Sequence, residues 1–414
     1  MPIPFRKGKI ETNNTYNAKI RTHILSAVKK AKLFLHIGHG KTGTSAVQSS
    51  LAIASERLLK KGINYPIHPS LRDRSSQLEI TSGNWAPNPE VNLTHDLLRI
   101  AENNHDSRST ILSSESLFWE IPELIKNKQE WQNYIDLHII LAVREVEEML
   151  SSEYQQRIKR HGDSMPLEQF IRARKFISSH HEKAAEIIDL MAQSGTANTI
   201  INYSKHKRDI SQIIFKLIGA EEAYPAERMD EVIINRSLSS KELEIMITIN
   251  KLYYNEIPTI STKISDVLIK NQPKTEAKMC KIIPQQLEKV YATNFSFIET
   301  INLRLNQSEQ LSTSPQESTP QSSTEREQKI REEEALSIHL IAETLKEVLI
   351  NESKQKLSNE TIDAIIKFSQ SRTVTKTTEV ELLEVAKENR PQGQALARLL
   401  ERAKKELAKE QSNP

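Results

Sequence analysis

The sequence predicts an α/β protein. Three layers (α/β/α) surround a mainly parallel central sheet, followed by a helix-rich second half and a separate small all-α C-terminal module. Three observations predict it. Short apolar runs alternate with stretches of helical period through the first half of the chain. After about residue 205 the period is almost wholly helical. A Ser/Thr/Gln/Pro tract then interrupts the pattern before amphipathic repeats resume.

Each element follows in order. Residues 1–31 read as a polar extension with one short helix near Ile20–Lys30. Lys32-Leu33-Phe34-Leu35-His36-Ile37 is an apolar run stopped by glycine, a buried strand. From Thr44, the residues Ala46, Val47, Leu51, Leu58 and Leu59 recur at helical spacing. Further strand signals are Thr110–Ser113, Leu137–Val143 and Thr199–Asn202, and a helix pattern runs from Glu145 to about Arg160. Strands alternating with helices imply βαβ units and a sheet covered on both faces. Helices then continue to Leu303, broken at Pro225, Pro258, Pro273 and Pro284.

The α/β domain is thus placed at 32–305, and a flexible linker at 306–326, because QSEQLSTSPQESTPQSST holds almost no apolar residue to offset chain entropy. In the module at 327–414, Ile338, Ile341, Leu345 and Val348 form one apolar stripe. Leu396, Leu399, Ala403 and Leu407 form another. Such stripes build a small bundle, or self-associate or pair with a protein partner as a coiled coil.

Composition narrows the function classes. At 414 residues the chain spans two or three folding units, with no need of disulfides or metal to fold. The lone Cys280 excludes an intramolecular disulfide and any multi-cysteine metal site. Lys+Arg 57 against Asp+Glu 54 is too even for a protein built to coat nucleic acid. No apolar run reaches the roughly 18–20 residues of a membrane helix, and the N-terminus lacks a signal-peptide core. A soluble, cytoplasmic protein is the expectation.

Glycine marks the candidate site. Three of the ten glycines, Gly38, Gly40 and Gly43, fall within six residues where the first strand hands over to a helix. Such a turn points backbone N–H groups at a ligand, and the helix N-terminus adds its positive dipole end. Lys41 adds a full charge, and Thr42, Thr44 and Ser45 add hydroxyls. A phosphate or sulfate is the ligand class. Gly40-Lys41-Thr42 matches the end of a Walker A loop, but the first glycine of that pattern falls on Leu35. A second constellation follows the strongest strand. Arg144 offers a planar fork to a phosphate, and Ser152 lies two helical turns on.

Ile37–Gln48, IGHGKTGTSAVQ, resembles the IGxxKTGTTxxQ turn of sulfotransferases that use 3′-phosphoadenosine-5′-phosphosulfate (PAPS), with Ser45 a departure that keeps the hydroxyl. The strand-end Arg144 with Ser152 eight positions later resembles the same family's 3′-phosphate motif, although Val146 stands where proline is common. Asn235–Ser239, NRSLS, resembles a segment of bacterial members, where Arg236 becomes a further phosphate contact. The resemblance covers about Lys32 to Leu305. It implies a P-loop-NTPase-like fold and PAPS as co-substrate without a metal. Gly38, Gly40, Lys41, Thr42, Gly43, Thr44, Ser45, Arg144, Ser152 and Arg236 hold that co-substrate.

Transfer of the sulfuryl group to an acceptor hydroxyl or amine needs a general base. Glu115, just past a strand's carboxyl end, is the first choice and His68 the second. By analogy with the family the acceptor is a carbohydrate or glycolipid, and Asn84-Trp85, Phe118-Trp119 and Trp131 are candidate stacking surfaces. His36 is expected beside the core, His39 as a loop residue, and His180-His181 as a solvated helix start. Two other readings stay open: a P-loop kinase or NTPase, and a catalytically silent binding protein.

Overall fold

The computed structural model describes residues 30–77, 83–88, 90–103, 108–173, 179–229, 236–272, 275, 279–315, 337–349, 357, 359–371 and 374–412. The expected helix near Ile20–Lys30 and the expected linker from 316 to 326 lie outside these residues, as does Asn235.

All four expected strands form. They are β1 (Ala31–His36), β3 (Ser109–Ser113), β4 (Ile135–Val143) and β5 (Ala197–Asn202), joined by a two-residue β2 (Ile63–Asn64). The sheet is parallel throughout, in the order β2-β3-β1-β4-β5. β1 lies at its centre, with Leu35 opposite Leu112 on one side and Ile139 on the other.

Alternate residues of β1 enter two different cores, the consequence of a period of two along a strand. Phe34 joins Ile111, Ile140 and Ile201 on one face, beneath α1 (Thr44–Ile53) with its Val47 and Leu51. Leu33 and Leu35 join Leu112, Ile139 and Leu141 on the other. That face is covered by α5 (Leu117–Lys126), α7 (Val146–His161) and α9 (Ser179–Ser194). These numbers leave room for α2 (Ser55–Lys60), α3 (Pro69–Ser76), α4 (Leu93–Glu102), α6 (Lys128–Trp131) and α8 (Leu167–Ala173). Because β2 is short, β3 has an open outer edge beyond Thr110, and Asn84 closes it. The Asn84 amide donates to the Ile111 carbonyl at 3.1 Å and accepts from the Ser113 N–H at 2.8 Å, as a neighbouring strand would.

The topology creates a crevice. The helix after β1 goes to one face and the helix after β4, whose Val146, Leu150 and Tyr154 sit in the opposite core, goes to the other. Adjacent strands whose connections part in this way open a gap at their carboxyl ends, the usual ligand position in open α/β sheets.

Two expected boundaries are corrected. Residues 306–312 do not begin as a flexible linker. They form a short 3₁₀ turn, Gln307–Glu309, and a strap in which Leu311 is buried. Hydrogen bonds to Asn302, Asn202, His206 and Glu145 hold it. A polar tract is thus ordered without much apolar area, through satisfied hydrogen bonds.

The C-terminal helices are likewise not a separate module. Ile341, Leu345, Ile362, Leu382 and Leu396 belong to the same apolar cluster as the sheet face. Ser337 donates to Glu242 at 2.7 Å, and Thr361 donates to Glu256. The stripes Ile341-Leu345-Val348 and Leu396-Ala403 are therefore buried within this chain. Among the described residues no helix is long and apolar enough to cross a membrane.

Candidate functional site

The glycine turn is tightly built. A Cβ on Gly38 would sit 2.4 Å from the Thr42 hydroxyl, and Gly43, at φ 77°, would place one 2.6 Å from the Tyr203 ring. Both positions therefore demand glycine. Thr42 is spent on the turn, donating to the His39 carbonyl at 2.7 Å. Lys41 adopts φ 78°, the one non-glycine at positive φ among the described residues. That conformation costs on the order of 1 kcal/mol in a residue with a Cβ, and such strain gathers at functional sites.

The Lys41 side chain is mostly buried, yet its ammonium makes no hydrogen bond or ion pair with a described residue. Burial lowers its pKa; the Glu115 charge offsets part of this, and Arg144 and Arg160 add to it.

Arg144 meets this turn across the crevice. Its Nη1 donates to the Lys41 carbonyl at 2.7 Å, its Nε donates to Glu148 at 3.2 Å, and its guanidinium lies 5.3 Å from the centre of the Tyr203 ring. Nη2 has no partner among the described residues. The arginine side chain is only 14 % exposed, so the fork is fixed in place with one arm open. Glu148 is in turn held by Lys207 at 2.7 Å and by the Ser204 hydroxyl at 3.0 Å. Burial pushes its carboxyl up, but Lys207 and Arg144 outweigh this and hold it below the ordinary range.

Glu115 lies beside the turn. Its Oε1 accepts from the Thr44 hydroxyl at 2.5 Å, which leaves Oε2 toward Gly40. Ser45 and Ser152 are half-buried, and neither hydroxyl bonds to a described residue. Lys41, Glu115, Arg144 and Thr44 are thus brought together, with Gly38, Gly40, Thr42, Gly43 and Ser45 on the turn itself.

Two expected site residues lie elsewhere in roles of their own. His68 is exposed and caps α3, accepting from the Ser70 N–H at 3.3 Å; it does not line the cleft. Arg236 is 4 % exposed and engages Glu242 through two bonds of 2.7 Å, with further bonds to the Gln272 and Leu268 carbonyls. It is a structural ion pair with no arm for a phosphate. The segment Ser239–Glu242 is a capping box, a pattern legible in the sequence as Ser-x-x-Glu.

An open cleft of about 360 Å³ adjoins the turn, walled by Gly40, Lys41, Glu115, Ser116, Trp119, Met149, Glu153 and His180. Sequence reasoning missed His180, Met149 and Glu153. The two histidines are not a solvated helix start. The His180 ring lies tilted 5.0 Å from the His39 ring, centre to centre, and 5.8 Å from Trp119. His181 is buried, and its Nε2–H donates to the Arg144 carbonyl at 2.8 Å. Burial drives the His181 pKa down to about 4, and His36, bonded to the Ser113 hydroxyl, falls to about 4 for the same reason.

Only one of the expected stacking tryptophans is available. Trp85 is buried and donates to Asp96, Trp131 is buried and donates to the Leu124 carbonyl, and Trp119 is 50 % exposed at the cleft mouth. No group of three or more His, Cys, Asp or Glu side chains placed to hold a metal occurs among the described residues. No family model matches the chain, and neither does any curated protein or solved structure.

Proposed function

We propose that the chain is a PAPS-dependent sulfotransferase of P-loop-NTPase-like fold, acting on a hydroxyl or amine of a carbohydrate-type acceptor. One observation carries the reading. A mostly buried Lys41 ammonium with no partner among the described residues stands on a strained glycine turn at the switch-point crevice, beside a carboxylate and a guanidinium whose Nη2 also has no described partner. Two fixed cations with free donors suit a ligand carrying two separated anionic groups.

In this reading the turn N–H groups and Lys41 bind the 5′-phosphosulfate, and Arg144 Nη2, with Ser152, takes the 3′-phosphate. The acceptor oxygen or nitrogen forms a bond to sulfur as the sulfur–oxygen bond to the 5′-phosphate breaks, and 3′,5′-ADP leaves. Lys41 stabilises the charge that grows on the departing oxygen. Glu115 takes the acceptor proton through Oε2, its orientation set by the Thr44 hydroxyl. Positioning and electrostatics supply the rate, as in phosphoryl transfer.

The test is a binding comparison of 3′,5′-ADP with ATP, ADP and AMP on the full chain, followed by transfer of labelled sulfuryl from PAPS. Preference for 3′,5′-ADP is the expected result. Tighter binding of ATP would overturn the reading in favour of a kinase or NTPase, and binding of 3′,5′-ADP without transfer to any acceptor would leave a silent binding protein.

A further inference from the structure

Glu148 governs which part of the Arg144 fork a ligand can reach. Its Oε2 accepts from Arg144 Nε at 3.2 Å and from the Ser204 hydroxyl at 3.0 Å, and its Oε1 accepts from Lys207 at 2.7 Å. The carboxylate therefore meets the guanidinium through one oxygen and one nitrogen. A carboxylate beside an arginine frequently closes a two-bond bridge instead, with its second oxygen on Nη2. Here that second oxygen is drawn off to Lys207.

The surroundings hold the fork and the carboxylate still. Arg144 Nη1 donates to the Lys41 carbonyl at 2.7 Å, and the Tyr203 ring 5.3 Å from the guanidinium also packs against Gly43. The Ser204 hydroxyl accepts from the Glu145 N–H at 3.0 Å, so its own proton is committed to Oε2. Among the described residues Lys207 is the one donor on Oε1. Its side chain is 45 % exposed, and ion pairs so placed add little to stability. The effect of this pair is on where an oxygen sits.

We infer that Lys207 is a positioning residue, which holds Glu148 Oε1 off Arg144 Nη2 and so keeps that arm open to a 3′-phosphate monoester. The inference rests on the co-substrate reading proposed above. Loss of Lys207 removes a cation and also releases a carboxylate that closes over Nη2. Glu148 then competes with the ligand for the arm it now helps to present.

Binding of 3′,5′-ADP and of 5′-AMP to the full chain is measured by calorimetry. Lys207→Met should weaken 3′,5′-ADP by about tenfold or more and 5′-AMP by no more than about threefold. Lys207→Arg, which keeps a donor for Oε1, should retain most of the affinity. Glu148→Gln decides between competition and simple charge. It should restore 3′,5′-ADP binding about tenfold in the Lys207→Met chain and raise it by no more than about threefold where Lys207 is present. Equal gains in the two backgrounds would mean that Lys207 acts only as a nearby charge, and would overturn the inference. So would a ligand-free crystal structure of Lys207→Met in which Oε1 stays off Nη2. If the unaltered chain binds 3′,5′-ADP no tighter than 5′-AMP, the co-substrate reading falls and takes this inference with it. If that preference is present and survives Lys207→Met, the inference alone falls.

Discussion

In the proposed reaction Lys41 supplies charge, its backbone is strained by geometry, and the two effects separate experimentally. Lys41→Ala keeps a Cβ at positive φ, and Lys41→Gly removes it. If the proposed transfer is the chain's reaction, both variants should lose it by on the order of 10²–10³. The glycine variant should be the more stable of the two by about 1 kcal/mol, read from urea midpoints. Equal stabilities would mean the turn is not strained. Arg144 has two tasks, bracing the Lys41 carbonyl and presenting Nη2. Arg144→Ala should weaken 3′,5′-ADP at least tenfold more than 5′-AMP; equal losses would assign Arg144 to the turn alone.

Titration at this scale also has a definite sign. His36 and His181 are held near pKa 4 by burial, below the ordinary 6.5, so the unfolded chain binds their protons first. Their contribution to stability is therefore complete above about pH 6.5 and lost as pH falls toward 4. Lys159 behaves alike in a higher window. Burial first, then the charges of Lys41, Arg160 and Arg236, pull its pKa from 10.5 to about 7. Stability should rise with pH between about 7 and 10, measured as urea midpoint against pH. Lys159→Met should flatten that slope. A slope identical in the variant would show that Lys159 is not the group responsible.

Among the elements, helix α7 and the helix Ser240–Tyr253 are tied by polar bonds rather than apolar contact alone. Lys159 donates to the Arg236 carbonyl, Asn250 donates to the Ile158 carbonyl at 2.8 Å, and Arg236 pairs with Glu242. Arg236→Met strands the Glu242 carboxylate in the interior and should destabilise the chain by about 3–5 kcal/mol in chemical denaturation. Native-like stability of this variant would show that the pair is dispensable. The strands were legible because β1 and β4 are covered on both faces and so read as unbroken apolar runs. β2 was not, since two residues carry no period. The glycine turn was legible for a steric reason: chemistry that needs φ > 0 and close approach leaves glycines in the sequence. His180 was not, because what brings it to Lys41 is the packing of α9 against α5, and a His-His pair among polar neighbours carries no local trace of that. Arg236 misled because its partner is a capping residue six positions on, read separately from it.

For the whole molecule, one apolar cluster extends from the sheet face through the helices of residues 240–302 into the C-terminal helices. Truncation after Leu305 should therefore expose the partners of Leu311, Ile341 and Ile365. The shortened protein should aggregate or unfold at markedly lower denaturant; a soluble, cooperatively folding 1–305 fragment would contradict the shared core. The full chain should unfold in a single transition by that same reasoning.

The strap at 306–312 gives the C-terminal region mechanical purchase on the crevice. Its Glu309 is fastened to Asn202 and His206, just past β5, and its Ser312 to Glu145, just past β4 and next to Arg144. A pull on the strap is thus shared between the carboxyl ends of these two strands and, through Leu311 and Asn302, the end of the helix that precedes it. One end of that load falls on Glu145, the residue next to the arginine.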